Sequence, residues 1–405
     1  MHANLQQTKE GSQTGRHVIL LPNPLPAELV TDFLSKLHYV SEALLSFELN
    51  AHRDAVSVCL VNDDPEQGAI VSDRIREVAQ KLQAAFRRDE PRILARRHVE
   101  PTFQDDPHPA LEAAGELFCF GRGRFGFGPR LSQLIDYFDL ELFSSAGRLN
   151  AASHQFPTLL GADVMERCRY LRTFPHSLSL VTHLREDMDA IHDFAATAHW
   201  DGKGLACSPE HLAKAKCFLS PNVCFHCYAW LQDSRNLKPQ SFTAVGKCFR
   251  YESGNLSGLE RLWDFTMREW IFVGPREYVL EQRRLATEIS IELLDRWNMT
   301  YEIRSAADPV AVDQTAIASY QMAFDLKHEV QAALPYKQAT LAVGSLNFHE
   351  DFFGRALSIE IEPGLAANMG CVGFGLERLA LAFLAQHSLD PRRWPAVVAQ
   401  NLKSW

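Results

Sequence analysis

The chain has 405 residues, of which 46% are hydrophobic and 22% are charged, and its formal net charge is −9. These totals fit a globular protein with room for two or three domains, and the acidic balance excludes a broad basic surface for RNA or DNA. Nine cysteines, an odd number spread through a long chain, argue against the disulfide framework of a secreted domain. The polar first residues and the lack of an apolar run of about 18 residues argue against a signal peptide and a membrane span, so we expect a cytoplasmic protein.

The first hundred residues predict a tail and one small domain. Residues 1–16 are polar and are predicted to be a disordered tail. Residues 17–100 contain a helical pattern in PAELVTDFLSKLHYV, a strand in DAVSVCLVN and a second helix in AIVSDRIREVAQKLQAAF, which predict a small α/β module. No pair of long heptad-patterned helices indicates a coiled-coil arm. The basic stretch FRRDEPRILARRH at 86–98 is either a local patch for a polyanion or a solvated helix end and linker, and we favour the second interpretation.

Residues 101–405 predict one larger domain in which strands and helices alternate irregularly. The passages SFTAVGKCFRYESG and LWDFTMREWIFVG read as two strands joined by a loop, which predicts antiparallel neighbours. We therefore expect the fold class α/β (α+β), with a mostly antiparallel sheet flanked by helices. The stretch GRGRFG at 121–126 matches the dinucleotide-binding pattern G-x-G-x-x-G, but no second βαβ unit follows it, and we interpret it as a glycine-rich loop at the edge of a pocket.

The stretch GCVGFGLERLALAFLAQH at 370–387 joins a glycine-rich strand end to an apolar helix. Glycines at 373 and 375 let the backbone approach a ligand closely. Arg378 falls in the first helical turn, where a cation slightly opposes the helix dipole. An anionic group should compensate it, either a bound phosphate or a protein carboxylate.

A second stretch, GKCFRYESGNLSGLERLWDFTMREWIFVG at 246–274, carries a matching set of side chains. If the first strand continues through it, Arg250 and Glu252 point to the same face. They then form either a buried ion pair or a site for a ligand with a phosphate and a base amino group. Phe265 and Glu269 follow on the returning strand, where the aromatic ring could stack on a purine.

Cys224 and Cys227 form a C-x-x-C pattern with His226 between them. The pattern alone permits half of a structural zinc site, a redox pair or two ordinary buried cysteines. No second C-x-x-C completes a zinc knuckle. We expect Cys248, which precedes Arg250 on a strand, to belong to the core.

Three ordered motifs resemble those of the class II aminoacyl-tRNA synthetases. CFRYE with WDFTMREWIFVG looks like motif 2, GFGLERLALAFL looks like motif 3, and HQFPTLLGADVMERCRYLRTFP at 154–175 looks like the motif 1 region. The stretch from ASYQMAFDLKHEV to EDFFGRAL is similar to the closing part of seryl-tRNA synthetases. The nearer resemblance, over about residues 101–400, is to the amino acid:[carrier protein] ligases, which are truncated homologues of archaeal-type seryl-tRNA synthetases.

The resemblance implies roles for matching residues. Arg250 would hold the ATP α-phosphate and the incoming carboxylate, Glu252 would accept from the adenine amino group, and Phe265 would stack on adenine. Arg378 would bind the γ-phosphate. These are positioning and charge-stabilising roles for an in-line displacement at phosphorus.

The resemblance also implies two metals. Zn²⁺ would be held by Cys224, Glu269 and Cys371, with an open position for the substrate amine. Mg²⁺ would accompany ATP, but a carboxylate of the seryl enzymes is replaced here by Ala or Val in TLAVGSLNFHED, and we expect Glu350 or Asp351 to serve instead.

From the resemblance we expect an enzyme that activates a small amino acid, glycine or alanine, as the aminoacyl adenylate. The acyl group would pass to the phosphopantetheine thiol of an acyl carrier protein. The alternatives are a seryl-type synthetase that charges tRNA and a non-catalytic adapter that keeps the fold. Because the N-terminal module is short and the chain is acidic, we expect no tRNA partner. We also expect a homodimer, with Pro157 near the turn that starts the interface element, and no membrane contact.

Overall fold

The computed structural model describes residues 15–62, 64–86, 91–308, 321 and 324–402. They divide into two compact units. The first contains the chain up to Glu90 together with Ser253–Asn255 and Ala307–Gln321, and the second contains the rest. None of the described helices is both long enough and apolar enough to cross a bilayer.

The first unit is a three-stranded antiparallel sheet with two helices. Its elements are β1 Gly15–Leu20, α1 Val30–Leu37, β2 Leu44–Leu49, β3 Ala55–Leu60 and α2 Pro65–Ala85. The strand order is β1-β3-β2. The helical spacing predicted for Val71, Ile75, Val78, Leu82 and Phe86 is confirmed for the first four, which are buried, whereas Phe86 follows the helix end and is half-buried.

The domain boundaries predicted at residues 16 and 100 stay predictions. Residues 1–14, which make up most of the predicted tail, lie outside the described residues, and β1 begins at Gly15. The compact units change over at Glu90 and Pro91.

The second unit contains seventeen described strands and ten described helices. In chain order the strands are β4 Ile93–Arg97, β5 Leu117–Gly121, β6 Arg124–Phe127, β7 Ala151–Ser153, β8 Leu159–Gly161, β9 Leu180–Val181, β10 His199–Trp200, β11 Leu205–Ala206, β12 Cys217–Leu219, β13 Gln240–Phe249, β14 Asp264–Gly274, β15 Tyr301–Ser305, β16 Lys327–Leu334, β17 Ala339–Phe348, β18 Glu360–Glu362, β19 Leu365–Ala366 and β20 Asn368–Gly375. The helices are α3 Pro107–Ala113, α4 Pro129–Ser145, α5 Ala162–Arg167, α6 Tyr170–Thr173, α7 Met188–Thr197, α8 Cys224–Trp230, α9 Arg276–Arg296, α10 Phe352–Ala356, α11 Leu376–His387 and α12 Ala396–Ala399.

One eight-stranded sheet organises this unit, in the order β4-β15-β16-β17-β20-β14-β13-β7. Every neighbouring pair is antiparallel except β13 and β7. The long helices α4, α9 and α11 cover one face and enclose the largest core cluster, which includes Trp270, Phe272 and Phe374. A smaller core on the opposite face includes residues of α8, β14 and β20. The expected mostly antiparallel sheet flanked by helices is confirmed.

Three expectations about local structure are corrected. Residues 93–97 form a strand and not a linker, because β4 pairs with β15 and its Arg96 binds Glu302 on that strand. β13 ends at Phe249, one residue before Arg250, so strand alternation does not relate Arg250 to Glu252. Pro157 follows β7 and does not start it, since the long helix α4 and the edge strand β7 both precede the 154–175 stretch.

The stretch GRGRFG forms a β-hairpin, in which β5 and β6 pair across a tight turn. Gly121 and Gly123 both have positive φ, at 136° and 69°, which explains the glycines without a dinucleotide. Gly123 also accepts a hydrogen bond of 2.9 Å from the backbone N–H of Trp263. The rejection of a dinucleotide fingerprint agrees with this geometry.

Candidate active site

Three side chains of ligand type meet on one face of the large sheet. Cys224 begins α8, Glu269 lies in the middle of β14, and Cys371 lies on β20. β14 and β20 are antiparallel, with Glu269 opposite Gly373 and Ile271 opposite Cys371. Side chains two residues apart share a face, so this register sets Glu269 diagonally beside Cys371. One ligand atom from each of the three residues lies within 4.8 Å of the others.

The cluster is closed off from solvent. The exposed fractions are 3% for Cys224, 1% for Glu269 and 4% for Cys371. Glu269 accepts backbone N–H groups from Val223 at 3.0 Å and from Cys224 at 3.1 Å. Burial raises the pKa of Glu269 to about 8, and repulsion from Cys371 adds to the rise. Burying a carboxylate together with thiolates is unfavourable unless a cation takes up their charge.

The pKa values of the two thiols in the cluster shift in opposite directions. Burial, followed by the neighbouring Cys371, raises the pKa of Cys224 well above its ordinary value. A hydrogen bond from Cys224 holds the pKa of Cys371 well below its ordinary value, with help from His349 and Asn347. In the cluster, the hydrogen bond from Cys224 therefore favours a negative charge on the sulfur of Cys371. Two sulfurs and one carboxylate form a donor set that suits Zn²⁺ with a position left open, so the residues fit that ion.

The backbone around the cluster explains part of its sequence. A Cβ at Gly373 would lie 2.7 Å from Met267 Cε and 3.3 Å from Glu269 Cγ, so a larger residue there would require both side chains to shift. Cys227 is fully buried but lies outside the group of three ligand residues found among the described residues. The core assignment of Cys248 is confirmed, since it packs in a small apolar cluster that includes Met267.

Arg250 and Phe265 lie beside each other at the end of the β13–β14 hairpin. The guanidinium carbon of Arg250 is 5.3 Å from the centroid of the Phe265 ring. Arg250 also donates to the backbone oxygen of Pro221 at 3.1 Å and to the side chain of Asn222. Its Nη2 lies 3.9 Å from the sulfur of Met267, the residue that also adjoins Gly373. Met267 therefore connects the surroundings of Arg250 to the surroundings of the three ligand residues.

Glu252 forms an ion pair with Arg261, a residue that sequence analysis overlooked. Arg261 lies four residues before Phe265, in the loop between the two strands. The signal that could have found it was a second arginine in the loop that also contains Arg250. Arg261 places a further guanidinium near Arg378. In addition to burial, its positive charge, like that of Arg250, lowers the pKa of Arg378.

Arg378 lies in the first turn of α11, as its sequence position predicts. Its Nε donates to the backbone oxygen of Glu260 at 2.6 Å and its Nη1 to that of Ala342 at 3.2 Å. Burial lowers the pKa of Arg378, and Arg261 and Arg250 oppose its charge further, while Glu252 favours it. These backbone carbonyls orient the guanidinium without neutralising it, and an anion would stabilise it.

Glu377, the neighbour of Arg378, ties α11 to β14. Its carboxylate accepts from the backbone N–H and the hydroxyl of Thr266 at 2.8–2.9 Å. Lys247 lies 3.6 Å away. Glu377 therefore has a structural task, and it fixes the start of the helix that carries Arg378.

The two carboxylates expected to hold Mg²⁺ form ion pairs in the structure. Glu350 lies 3.5 Å from Arg276, and Asp351 lies 2.6 Å from Arg355. Glu329 on β16 is another carboxylate near the arginines, since its charge favours that of Arg378. The Mg²⁺ ligands therefore stay a prediction.

Comparison with known proteins identifies the family. The model of the tRNA synthetase class II core domain (G, H, P, S and T) matches residues 210–387. Amino acid--[acyl-carrier-protein] ligase 2 of Bradyrhizobium diazoefficiens is 31% identical over 262 residues, which cover 62% of this chain and 75% of that protein. Ligase 1 of the same organism is 30% identical over 64% of this chain and 79% of its own length.

The chain belongs to the amino acid–[acyl-carrier-protein] ligase family, and it contains the class II synthetase core. A more distant relative is the type-2 serine--tRNA ligase of Methanopyrus kandleri, which is 24% identical over 70% of this chain and 57% of its own length. Among solved structures, the complex of A. aeolicus tRNASec with M. kandleri SerRS matches with a TM-score of 0.68 at 19% identity. That match covers 96% of this chain and 77% of the other, and it shows a shared fold. Membership of this family implies the use of ATP and Mg²⁺.

Proposed function

We propose that the protein activates a small amino acid with ATP and transfers the acyl group to the phosphopantetheine thiol of an acyl carrier protein. The observation that carries the proposal is the meeting of Cys224, Glu269 and Cys371 on one face of the large sheet, near the β13–β14 hairpin end where Arg250 and Phe265 lie. Two family members named as amino acid--[acyl-carrier-protein] ligases support the same activity. Glycine and alanine are the favoured amino acids, since the family resemblance implies them.

Activation would proceed through the arginines at the end of the β13–β14 hairpin. The amino acid carboxylate attacks the α-phosphorus of ATP, the bond to the β-phosphate breaks, and pyrophosphate leaves with the aminoacyl adenylate remaining. Charge accumulates on the phosphate oxygens, and Arg250, Arg261 and Arg378 supply preorganised cations for it. Phe265 would carry the adenine ring on its face, and Glu252 would accept from the adenine amino group.

The cluster of Cys224, Glu269 and Cys371 would hold Zn²⁺. When bound, the ion would supply a Lewis-acidic position that takes a neutral amine and refuses an ammonium group. The protein fixes the three donors by different means: the start of α8 holds Cys224, two backbone N–H groups hold Glu269, and β20 holds Cys371. An amine held here would leave the carboxylate to approach the arginines, so the cluster would orient the substrate and not only bind it.

The second half-reaction would form a thioester. The phosphopantetheine thiol loses its proton, its sulfur attacks the carbonyl carbon of the adenylate, and AMP leaves. A flexible prosthetic arm suits a buried site, because it reaches the carbonyl without requiring the carrier protein to enter.

A transfer assay tests this function. Purified protein, ATP, Mg²⁺ and glycine or alanine are incubated with phosphopantetheinylated acyl carrier protein or with total tRNA, and both products are analysed by mass. We expect a carrier thioester, lost on alkaline hydroxylamine treatment, and no aminoacyl-tRNA. Charged tRNA without a carrier thioester would favour the seryl-type synthetase, and ATP binding with neither product would favour the adapter.

We propose in addition that the protein is a homodimer. Supporting features are the short strand β7 at the edge of the large sheet and two exposed apolar side chains on α4, Leu140 and Phe143. An open sheet edge beside an apolar helix face is a surface that a second copy can cover. Sedimentation at micromolar concentration should give twice the 45.7 kDa chain mass, and a clean monomer would contradict the proposal.

A further inference from the structure

Three ring side chains pack together next to the ligand cluster. They are Tyr228 on α8, Phe353 on α10 and His349 in the turn before α10. The rings of Tyr228 and Phe353 are stacked with centroids 5.0 Å apart, and His349 meets the Phe353 ring edge-on, also at 5.0 Å. Tyr228 lies one helical turn after Cys224, which brings its ring to the same side of α8 as that sulfur.

His349 is the member of this group that reaches the cluster. Its Nε2 lies 3.5 Å from the sulfur of Cys371. Its own backbone N–H is fixed by a hydrogen bond of 2.8 Å to the carbonyl of Met369, two residues before Cys371 on β20. The backbone and the Phe353 ring together leave the imidazole little freedom to turn away from the sulfur.

A second observation concerns the hydroxyl group of Tyr228. Tyr228 is fully buried, and its hydroxyl finds no hydrogen-bond partner among the described residues. An unpaired buried hydroxyl is unfavourable, and Tyr228 leaves a free polar group beside the cluster.

We propose that His349 is a positioning residue of the ligand cluster, which donates its Nε2–H to Cys371 Sγ and holds that sulfur in place for a metal ion. The inference rests on the proposed metal role of the cluster and assigns a task to a residue outside the three ligands. A hydrogen bond to a thiolate orients the sulfur and disperses its charge, and outer partners of this kind change metal affinity about 10–100-fold. Asn347, whose Nδ2 lies 3.6 Å from the same sulfur, is the second donor.

Two substitutions separate the hydrogen bond from simple packing. In His349→Gln the side-chain amide nitrogen can occupy the position of Nε2, whereas in His349→Asn the shorter side chain cannot reach the sulfur. Both keep a polar amide in the same backbone setting. We expect His349→Asn to weaken Zn²⁺ binding about 10–100-fold in competition with a chromophoric chelator, and His349→Gln to restore most of that loss.

Co²⁺ replacing Zn²⁺ gives a readout independent of catalysis. The sulfur-to-cobalt charge-transfer absorption should shift in His349→Asn and return toward the wild-type position in His349→Gln. His226→Asn is a matched control, since His226 is also buried but stacks on Phe156, and it should leave the spectrum unchanged.

The outcomes distinguish this inference from the proposed function. If the wild-type protein binds neither Zn²⁺ nor Co²⁺ at one ion per chain, the metal role of the cluster is wrong. The role of His349 alone is wrong if the wild type binds metal and both variants bind it with the wild-type affinity. The same holds if His349→Asn and His349→Gln lower the metal affinity equally.

Discussion

Glu269 accepts two hydrogen bonds from the start of the helix that carries Cys224. Its two carboxylate oxygens accept the backbone N–H groups of Val223 and Cys224 at 3.0 and 3.1 Å, so one side chain both fills a ligand position and aims another ligand. A helix N-terminus leaves such N–H groups without intrahelical partners, and a carboxylate is a favourable acceptor for them. Removing Glu269 would therefore disturb Cys224 as well.

We predict that Cys224→Ala and Cys371→Ala each lose bound zinc and amino acid activation while keeping the fold. Loss of a residue that hydrogen-bonds to a metal ligand typically lowers metal affinity about 10–100-fold. Loss of one of the three ligands themselves should lower it more. Metal analysis of the purified variants and thermal unfolding are the measurements. Cys227→Ala is the matched control, because Cys227 is buried on the same helix outside the cluster, and it should retain zinc. Wild-type zinc content in Cys224→Ala would refute its assignment.

Zinc affinity should rise with pH. In the metal-free protein the pKa of Glu269 is raised to about 8 and the pKa of Cys224 is raised further, so at pH 7 both hold protons that a metal must displace. The pKa of Cys371 is lowered, so its thiol opposes metal binding less than the thiol of Cys224 does. We expect metal binding to release protons, with more released per ion below pH 8 than above it. Calorimetric titration in buffers of different ionisation enthalpy counts them, and a pH-independent affinity would oppose this protonation pattern.

Arg378→Ala and Arg261→Ala should impair the use of ATP and leave zinc content unchanged. A hydrogen bond to a charged group is worth about 1.5–3 kcal/mol, which corresponds to a loss of roughly 10–150-fold in kcat/KM for ATP. Steady-state kinetics at saturating amino acid measures this loss. Arg284→Ala, on the exposed surface of α9 and paired with Glu281, serves as the control and should behave as wild type. Unchanged kinetics in Arg378→Ala would remove its phosphate role.

Gly373→Ala should loosen the metal site without unfolding the protein. The new methyl group would push on the end of Met267, which can move, and on Glu269 Cγ at 3.3 Å, which is held by its backbone hydrogen bonds. We expect weaker zinc binding and a higher KM for the amino acid. Gly246→Ala on the adjacent β13 is the comparison, because its Cβ would meet only an ordinary contact with Val223 at 3.4 Å. Equal behaviour of the two variants would argue against crowding at Glu269.

The sequence predicted the strand pair β13–β14 and the helix at Arg378 because these depend on local periodicity and short connections. The set Cys224, Glu269 and Cys371 came from motif resemblance, since residues so far apart in the chain meet only through the order of β14 and β20 in the sheet. The structure brings the three side chains within 4.8 Å of one another, and their role as metal ligands stays a prediction.

The remaining differences between the predictions from the sequence and the structure have physical causes. β4 was interpreted as a linker because its arginines look solvated, and only the pairing of Arg96 with Glu302 on β15 reveals an edge strand. Arg261 was overlooked because the loop sequence alone does not show that its side chain pairs with Glu252. The contact of His349 with Cys371 joins the end of β17 to the middle of β20, and no short sequence pattern encodes it.

The most direct test of the central claim is amino-acid-dependent exchange of labelled pyrophosphate into ATP, run with all twenty amino acids on zinc-loaded, chelated and zinc-restored protein. We predict exchange with glycine or alanine that chelation abolishes and added zinc restores. Exchange that persists at full rate in metal-free protein, or no exchange with any amino acid while ATP still binds, would contradict the account.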